Sequence, residues 1–243
     1  MATATSPLEP APISPMGRLT GVFFSPKETF ADIARRPSWI LPIVLLSILG
    51  LGVAYTMNKK IDWESYLRSQ AEKSPRFANL TEAQAEQALA PQVKWTPRTV
   101  YVFGPLRNVC IVLVVSLIYW GALASSGVRF NQSFAITAFA QMPHVIASIL
   151  VIITLSLRAY GESTPENMLP SHLGAFMSSD APRWQTSLGT SVELFDLYSN
   201  FLAALGLTMV NPKKISLTKA LVVVFGAWLL WVLIKVGGAA AFS

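Results

Sequence analysis

The sequence predicts an all-α fold, a polytopic membrane helix bundle with about five transmembrane helices plus amphipathic and loop helices. Two observations predict it. Of the 243 residues, 52% are apolar and only 13% are charged, whereas a soluble domain carries about 25% charged residues. The apolar residues also form long uncharged runs, as bilayer-spanning helices do. This composition disfavours a soluble nucleic-acid-binding domain, so we expect no nucleic-acid partner despite the net charge of +6.

Two segments precede the first apolar run. Residues 1–16 hold four prolines and no basic residue, which predicts a disordered tail. Residues 17–38 contain an amphipathic helix, because Ser25 opens a Ser-Pro-Lys-Glu pattern typical of a helix start. We expect this helix to lie flat among the lipid headgroups, with packing on the protein's own loops as the alternative. Its residues of interest are Phe30, Ile33, Arg35 and Arg36.

Five apolar runs predict the membrane domain, which we assign to residues 39–243. A bilayer core of roughly 30 Å needs about 20 helical residues. Three of the runs contain 19 to 25 uncharged residues each, and the other two contain charged residues. In chain order, the predicted spans are residues 39–57, 108–128, 133–157, 191–210 and 220–242.

Two polar inserts, residues 58–107 and 158–190, separate these spans. We expect helices in the first insert after Asp62 and after Thr81, where Thr81 begins a capping-box pattern. With five spans, both inserts lie on one side of the membrane and the two termini on opposite sides. Charge leaves the orientation open, since the N-terminal side holds eight basic residues and the other side eleven, and the positive-inside rule weighs short segments most.

Charged residues near the ends of the last three spans form one candidate site. Glu193, Asp196 and Asn200 are spaced i, i+3 and i+7 and share one helix face. The antiparallel last span brings Lys235 to the same depth. Helix capping by the acids and snorkelling of the lysine are the favoured interpretation, with a structural ion pair and a substrate or ion site as alternatives. The cluster, at one mouth of the bundle, contains Arg158, Glu193, Asp196, Asn200 and Lys235.

A second set of polar residues lies in the middle of predicted span three, where Gln141 and His144 flank Met142-Pro143. A histidine at this depth can relay a proton. No acidic residue occurs between Glu86 and Glu162, so no acid on span two or three can partner it. We therefore expect a proline-kinked helix in which His144 bonds to a neighbouring carbonyl.

No sequence motif of a known catalytic centre occurs. The chain lacks Gly-x-Ser-x-Gly, His-Glu-x-x-His, a phosphate loop and Cys-x-x-Cys. Its one cysteine, Cys110, excludes a disulfide framework and a cysteine-rich metal site. We therefore predict a non-enzymatic protein with no cofactor.

Four stretches together resemble the Yip-one domain family, whose members are Ypt- or Rab-interacting multi-pass membrane proteins. They follow one another in the family's order and cover about residues 17–240, and they most resemble the bacterial members. Tyr198 stands where the family has Trp. The stretches are Phe23–Phe30 with its Ser-Pro-Lys-Glu-Thr-Phe sequence, Met142-Pro143, Glu193–Leu207, and Lys213–Ser216 followed by the Trp-rich last span.

The resemblance implies five membrane helices and a cytoplasmic N-terminus, and for a bacterial member the cytoplasmic (inner) membrane. It further implies a membrane scaffold or a membrane-organising, trafficking-like factor. Its partners would be the lipid bilayer and either other proteins or further copies of the chain. The alternative is a small transporter or permease component that uses the charged cluster at one mouth of spans three to five.

Overall fold

Helices are the main regular structure of the described part of the protein. The computed structural model describes residues 11–72, 74, 77, 79–178 and 181–241, and residues 1–10 of the predicted tail lie outside this part. Between the described residues, the one β pairing is an isolated antiparallel bridge between His172 and Glu193, which confirms the all-α prediction. The helices are α1 Pro15–Phe24, α2 Pro26–Arg35, α3 Ile40–Lys60, α4 Trp63–Glu72, α5 Glu82–Leu123, α6 Phe130–Ala140, α7 Pro143–Leu157, α8 Arg183–Ser191, α9 Leu194–Thr208 and α10 Leu217–Ala241.

Four helical stretches of the described chain are long and apolar enough to cross a membrane. The predicted span at 191–210 is shorter than expected, because α9 has 15 residues and begins only at Leu194. At 1.5 Å per residue it is about 22 Å long, against a bilayer core of roughly 30 Å. The bundle therefore combines four long stretches with one short apolar helix. The four stretches are Ile40–Lys60, Glu82–Ser126, Phe130–Leu157 and Leu217–Ala241.

The second predicted span is the end of a much longer helix. α5 has 42 residues and includes Pro91, Pro97 and Pro105, so it is about 63 Å long. Thr81 forms the predicted capping box, in which Gln84 Oε1 accepts the Thr81 N–H at 3.0 Å. Residues 82–107, which the sequence predicts as part of the polar insert, therefore continue into the second span as one helix.

Hydrogen bonds between loops show which ends of the helices lie together. Gln132 Nε2 donates to the Ala34 carbonyl at 2.8 Å, so the N-terminal helices lie beside the start of α6. At the opposite end, Lys60 Nζ donates to the carbonyls of Ser156 at 3.0 Å and Arg158 at 2.7 Å. The connections that follow α3 and α7 therefore share one end of the bundle, as expected.

The N-terminal region is built into the bundle. The predicted segment 17–38 forms two helices, and α2 packs against α6 and α9. Phe30 and Ile33 are fully buried, and a Cβ added to Gly206 of α9 would lie 2.7 Å from the Phe30 ring. The apolar face that we expected to contact lipid therefore contacts protein, because α9 presents a glycine where α2 crosses it.

An ion pair is buried between the two N-terminal helices, α1 and α2. Arg18 of α1 approaches Asp32 of α2 at 2.7 Å, with side chains 6% and 0% exposed. Arg18 also donates to the Arg36 carbonyl at 3.0 Å and to Ser38 Oγ at 2.9 Å. α1 covers the side of α2 on which Asp32 lies, and Arg18 supplies the charge that Asp32 needs when buried.

Candidate functional site

The site begins at a break in the third long stretch. α6 ends at Ala140 and α7 begins at Pro143, so the predicted kink is a full interruption of the helix. Proline lacks the N–H that would continue the helical hydrogen bonds. The Gln141 N–H caps α6 through the Thr137 and Ala138 carbonyls at 3.2 and 3.3 Å. The break places His144 in the first turn of α7.

The imidazole of His144 is held between two residues of α9. Its Nε2 lies 3.0 Å from Asp196 Oδ1, and its Nδ1 lies 3.2 Å from Ser199 Oγ. Asp196 and Ser199 are three residues apart and share one helix face. The expectation that His144 bonds to a neighbouring carbonyl is therefore wrong. The partner acid, Asp196, comes from α9, and the absence of acids from spans two and three therefore does not leave His144 without one.

Glu193 closes the N-terminus of α9. Its Oε2 accepts the Asp196 N–H at 2.7 Å, and its backbone is extended. The bridge to the preceding connection fixes this position, since the Leu173 N–H donates to the Val192 carbonyl at 3.1 Å and the Leu194 N–H to the Ser171 carbonyl at 3.0 Å. Glu193 is thus an N-cap residue, and two acids lie at the positive end of the α9 dipole.

Lys235 lies next to this pair and contacts a different element. Its Nζ donates to Thr190 Oγ1 and Ser191 Oγ, each at 3.1 Å. It is close enough to Asp196 and to Arg107 for an electrostatic interaction with both. The antiparallel packing therefore brings Lys235 to the depth of Asp196 as predicted, with the hydroxyls at the end of α8 as its hydrogen-bond partners.

Two members of the predicted cluster form no hydrogen bond or ion pair with the other members among the described residues. Arg158 donates to the Asn167 carbonyl at 2.8 Å and to Ser163 Oγ at 3.2 Å. It lines a shallow cavity of about 300 Å³ in the connection between α7 and α8, beside Glu166. Asn200 makes no hydrogen bond to the described residues. His144 and Ser199 contribute to the site instead, since His144 contacts both Asp196 and Ser199. The only sequence signal for Ser199 is its spacing of three residues from Asp196.

The resulting arrangement offers mixed nitrogen and oxygen donors. One ligand atom each from His144, Glu193 and Asp196 lie within 4.8 Å of one another. The Asp196 side chain is 48% exposed and that of His144 is 29% exposed, so the group opens toward the surface of the bundle. We define these three residues, with Ser199 behind the imidazole, as the His144 cluster.

The fold and this cluster define a polytopic helical membrane protein with a polar site where a broken helix meets a short one. The profile of the Yip1 domain matches residues 20–240. The chain therefore belongs to the Yip1 (Yip-one) domain family, which confirms the resemblance. No curated protein sequence and no solved structure matches the chain.

Proposed function

We propose that this Yip1-family protein is a non-enzymatic membrane scaffold, a membrane-organising or trafficking-like factor. Its surface for partners is the outer face of α10. This observation carries the proposal: α10 is the least buried of the four long stretches, with 17% of its apolar window inside the bundle against 28 to 44% for the others. A helix that gives so little of its surface to its own bundle retains most of it for lipid and for another helix.

The outer face of α10 combines large apolar side chains with a small residue. Leu230 and Trp231 are 61% and 63% exposed, and a Cβ added to Gly226 would meet nothing within 4 Å. Small residues allow two transmembrane helices to approach closely, and neighbouring large side chains then pack around the contact. This pattern supports a second membrane helix, from a partner protein or a further copy of the chain, as the ligand of α10.

Site-specific photo-crosslinking tests the proposal in native membranes. A crosslinker at Trp231 or Ile234 should give discrete adducts, since both side chains are at least 60% exposed. The matched control is Val232 on the same helix, which is 3% exposed and should give none. A protein that stays monomeric and free of adducts under every such condition contradicts the scaffold function.

We place the protein in a bacterial cytoplasmic membrane with its N-terminus in the cytoplasm. The resemblance of the sequence motifs to those of bacterial members of the family motivates this location. The two ends of the bundle carry different connections. The short links and the N-terminal helices lie at one end, and the long connections after α3 and α7 lie at the other.

A proton-coupled transporter is the second candidate function, and the His144–Asp196 contact favours it. Interrupted helices at membrane depth are the usual place for transport sites, and paired His and Asp side chains relay protons. Liposomes that contain the protein and a pH-sensitive dye would then acidify under a proton gradient, and Asp196→Asn would abolish this flux while leaving the yield of folded protein unchanged. The same proton leak with wild type, Asp196→Asn and empty liposomes would contradict it.

A further inference from the structure

We propose that the His144 cluster is a binding site for a divalent transition-metal ion, with Zn²⁺ as the ion that fits it best. The ligands are His144 Nε2 and one carboxylate oxygen each from Glu193 and Asp196. This inference stands apart from the scaffold function, because it concerns the contact between α7 and α9 and not the outer face of α10.

The three donors come from two helices that converge. His144 lies in the first turn of α7, while Glu193 and Asp196 lie at the start of α9, and their ligand atoms are within 4.8 Å of one another. Ligand atoms about 2.1 Å from a tetrahedral ion lie about 3.4 Å apart. The 3.0 Å between His144 Nε2 and Asp196 Oδ1 is already close to that spacing, and Glu193 supplies the third ligand atom from the same end of α9.

The carboxylates have oxygens to spare. The hydrogen bonds within the described chain use Asp196 Oδ1 and Glu193 Oε2. Asp196 Oδ2 and Glu193 Oε1 have no hydrogen-bond partner among the described residues. An ion can therefore be bound without breaking the cap of α9.

Ser199 orients the imidazole as a supporting residue does in metal sites. Its hydroxyl lies 3.2 Å from Nδ1. When this hydroxyl accepts the Nδ1–H, the Nε2 lone pair points at the carboxylates. In this tautomer the Nε2 lone pair is free to bind a cation that the carboxylates share, whereas in the other tautomer Nε2–H donates to Asp196 Oδ1 and the metal replaces that proton.

The donor set selects the class of ion. One imidazole nitrogen with two carboxylate oxygens suits Zn²⁺ and its neighbours in the transition series. Ca²⁺ takes six to eight oxygen ligands, and Mg²⁺ dehydrates reluctantly and prefers oxygen. We therefore expect Zn²⁺ to bind where these two ions do not.

Lys235 opposes the bound cation. It lies within electrostatic range of Asp196, although its amine donates to the Thr190 and Ser191 hydroxyls. Removal of its positive charge should therefore strengthen Zn²⁺ binding. If His144 and Asp196 form only a structural ion pair, removal of the Lys235 charge should not create stronger Zn²⁺ binding. A Lys235 variant therefore distinguishes a metal site from a structural ion pair.

The test is calorimetric titration of the chelator-treated full-length protein in detergent with Zn²⁺, and then with Mg²⁺. We expect one Zn²⁺ per chain and no Mg²⁺ binding. His144→Asn and Asp196→Asn should each raise the Kd at least about tenfold, since loss of a supporting residue alone costs 10- to 100-fold. Lys235→Met should lower the Kd several-fold.

Two control variants exclude other zinc ligands. Cys110 has an exposed thiol, and His172 is the second histidine of the chain, so Cys110→Ser and His172→Gln should leave the Kd unchanged. The proposal is overturned by three results: no saturable Zn²⁺ binding, binding that survives His144→Asn and Asp196→Asn, or binding lost with Cys110→Ser. If the His144 and Asp196 variants do not fold, an unchanged Kd in Lys235→Met overturns it.

Discussion

His144 Nε2 lies 3.0 Å from Asp196 Oδ1 across a chain separation of 52 residues. The contact joins the break between α6 and α7 to the first turn of α9. Because α9 has only 15 residues, its length alone does not determine its position in the bilayer. The contact therefore fixes the depth of α9 relative to the broken stretch, and the cap at Glu193 and the hydroxyl of Ser199 both act on the same contact.

A double-mutant cycle measures this coupling. His144→Gln and Asp196→Asn should each lower the free energy of unfolding in detergent by about 1 kcal/mol, because the half-exposed pair is screened. The double variant should lose less than the two single losses summed, since each single change leaves a partner without its bond. Strict additivity of the three thermal unfolding measurements would show that the two side chains do not interact.

Local patterns predicted much of the fold. The helices after Asp62 and Thr81, the position of the proline kink, which is a full break in the structure, and the apolar side of α2 each depend on residues within a turn or two of each other. Ser65, for example, donates to Asp62 through its hydroxyl at 2.7 Å and its N–H at 3.2 Å, and these bonds hold the pKa of Asp62 below its usual value. Such patterns are visible in the sequence because their partners are adjacent.

The site was less predictable, because its contacts depend on where separate helices stop. The backbone bridge between His172 and Glu193 precedes the start of α9 at Leu194, and this start decides which residue caps the helix and which faces His144. Arg18 similarly buries Asp32 from another helix. Neither the His144–Asp196 pair nor the Arg18–Asp32 pair has a local sequence signature. Which residues pair depends on the depth and rotation of each helix, and residue type does not determine these.

The buried ion pair gives a second prediction. Asp32→Asn should lower the free energy of unfolding by about 3–5 kcal/mol, because it leaves the Arg18 charge buried without its counter-ion. Urea unfolding in detergent, followed by tryptophan fluorescence, provides the measurement. Glu28 is exposed on the same helix, so Glu28→Gln is the matched control and should change stability little.

Replacement of both charges tests the cause of that loss. An Arg18→Met, Asp32→Leu double variant should recover most of the stability that Asp32→Asn loses, since a buried ion pair replaced by apolar residues of similar volume is often neutral or stabilising. If the double variant is as unstable as Asp32→Asn, the shape of the pair rather than its charge balance holds α1 on α2.

The crossing of α2 and α9 gives a third prediction. Gly206→Ala would place a Cβ 2.6 Å from Ile136 and 2.7 Å from the Phe30 ring, so these helices must move apart, at a cost of about 1–3 kcal/mol. Gly226→Ala on α10 meets nothing within 4 Å and should be neutral or slightly stabilising. The comparison is made by thermal unfolding of both variants. Equal stability would show that α2 does not pack on α9 as described.

The two inserts are joined by a hydrogen bond that carries a pH dependence. Tyr66 Oη donates to Glu166 Oε1 at 2.6 Å, and burial followed by this contact raises the pKa of Tyr66. A phenol whose pKa is raised by folding contributes stability below its unfolded pKa of about 10, and loses it as the pH rises further. The wild type should therefore lose more stability than Tyr66→Phe between about pH 9 and about pH 11, a range that brackets the unfolded pKa. Parallel losses would contradict it.

Topology is tested by reporter fusions that are active on one side of the membrane. The bonds from Gln132 to Ala34 and from Lys60 to Arg158 place the 124–130 link with the N-terminal helices, and both long connections at the other end. A cytoplasmic reporter should therefore be active after Arg129 and inactive after Lys60 and Arg183. The C-terminal fusion after Ser243 is decisive, because α10 packs on α8 and Lys235 reaches Ser191, which places its end with the long connections. A cytoplasmic C-terminus combined with a cytoplasmic N-terminus would mean that α9 and α10 do not cross the membrane as an antiparallel pair.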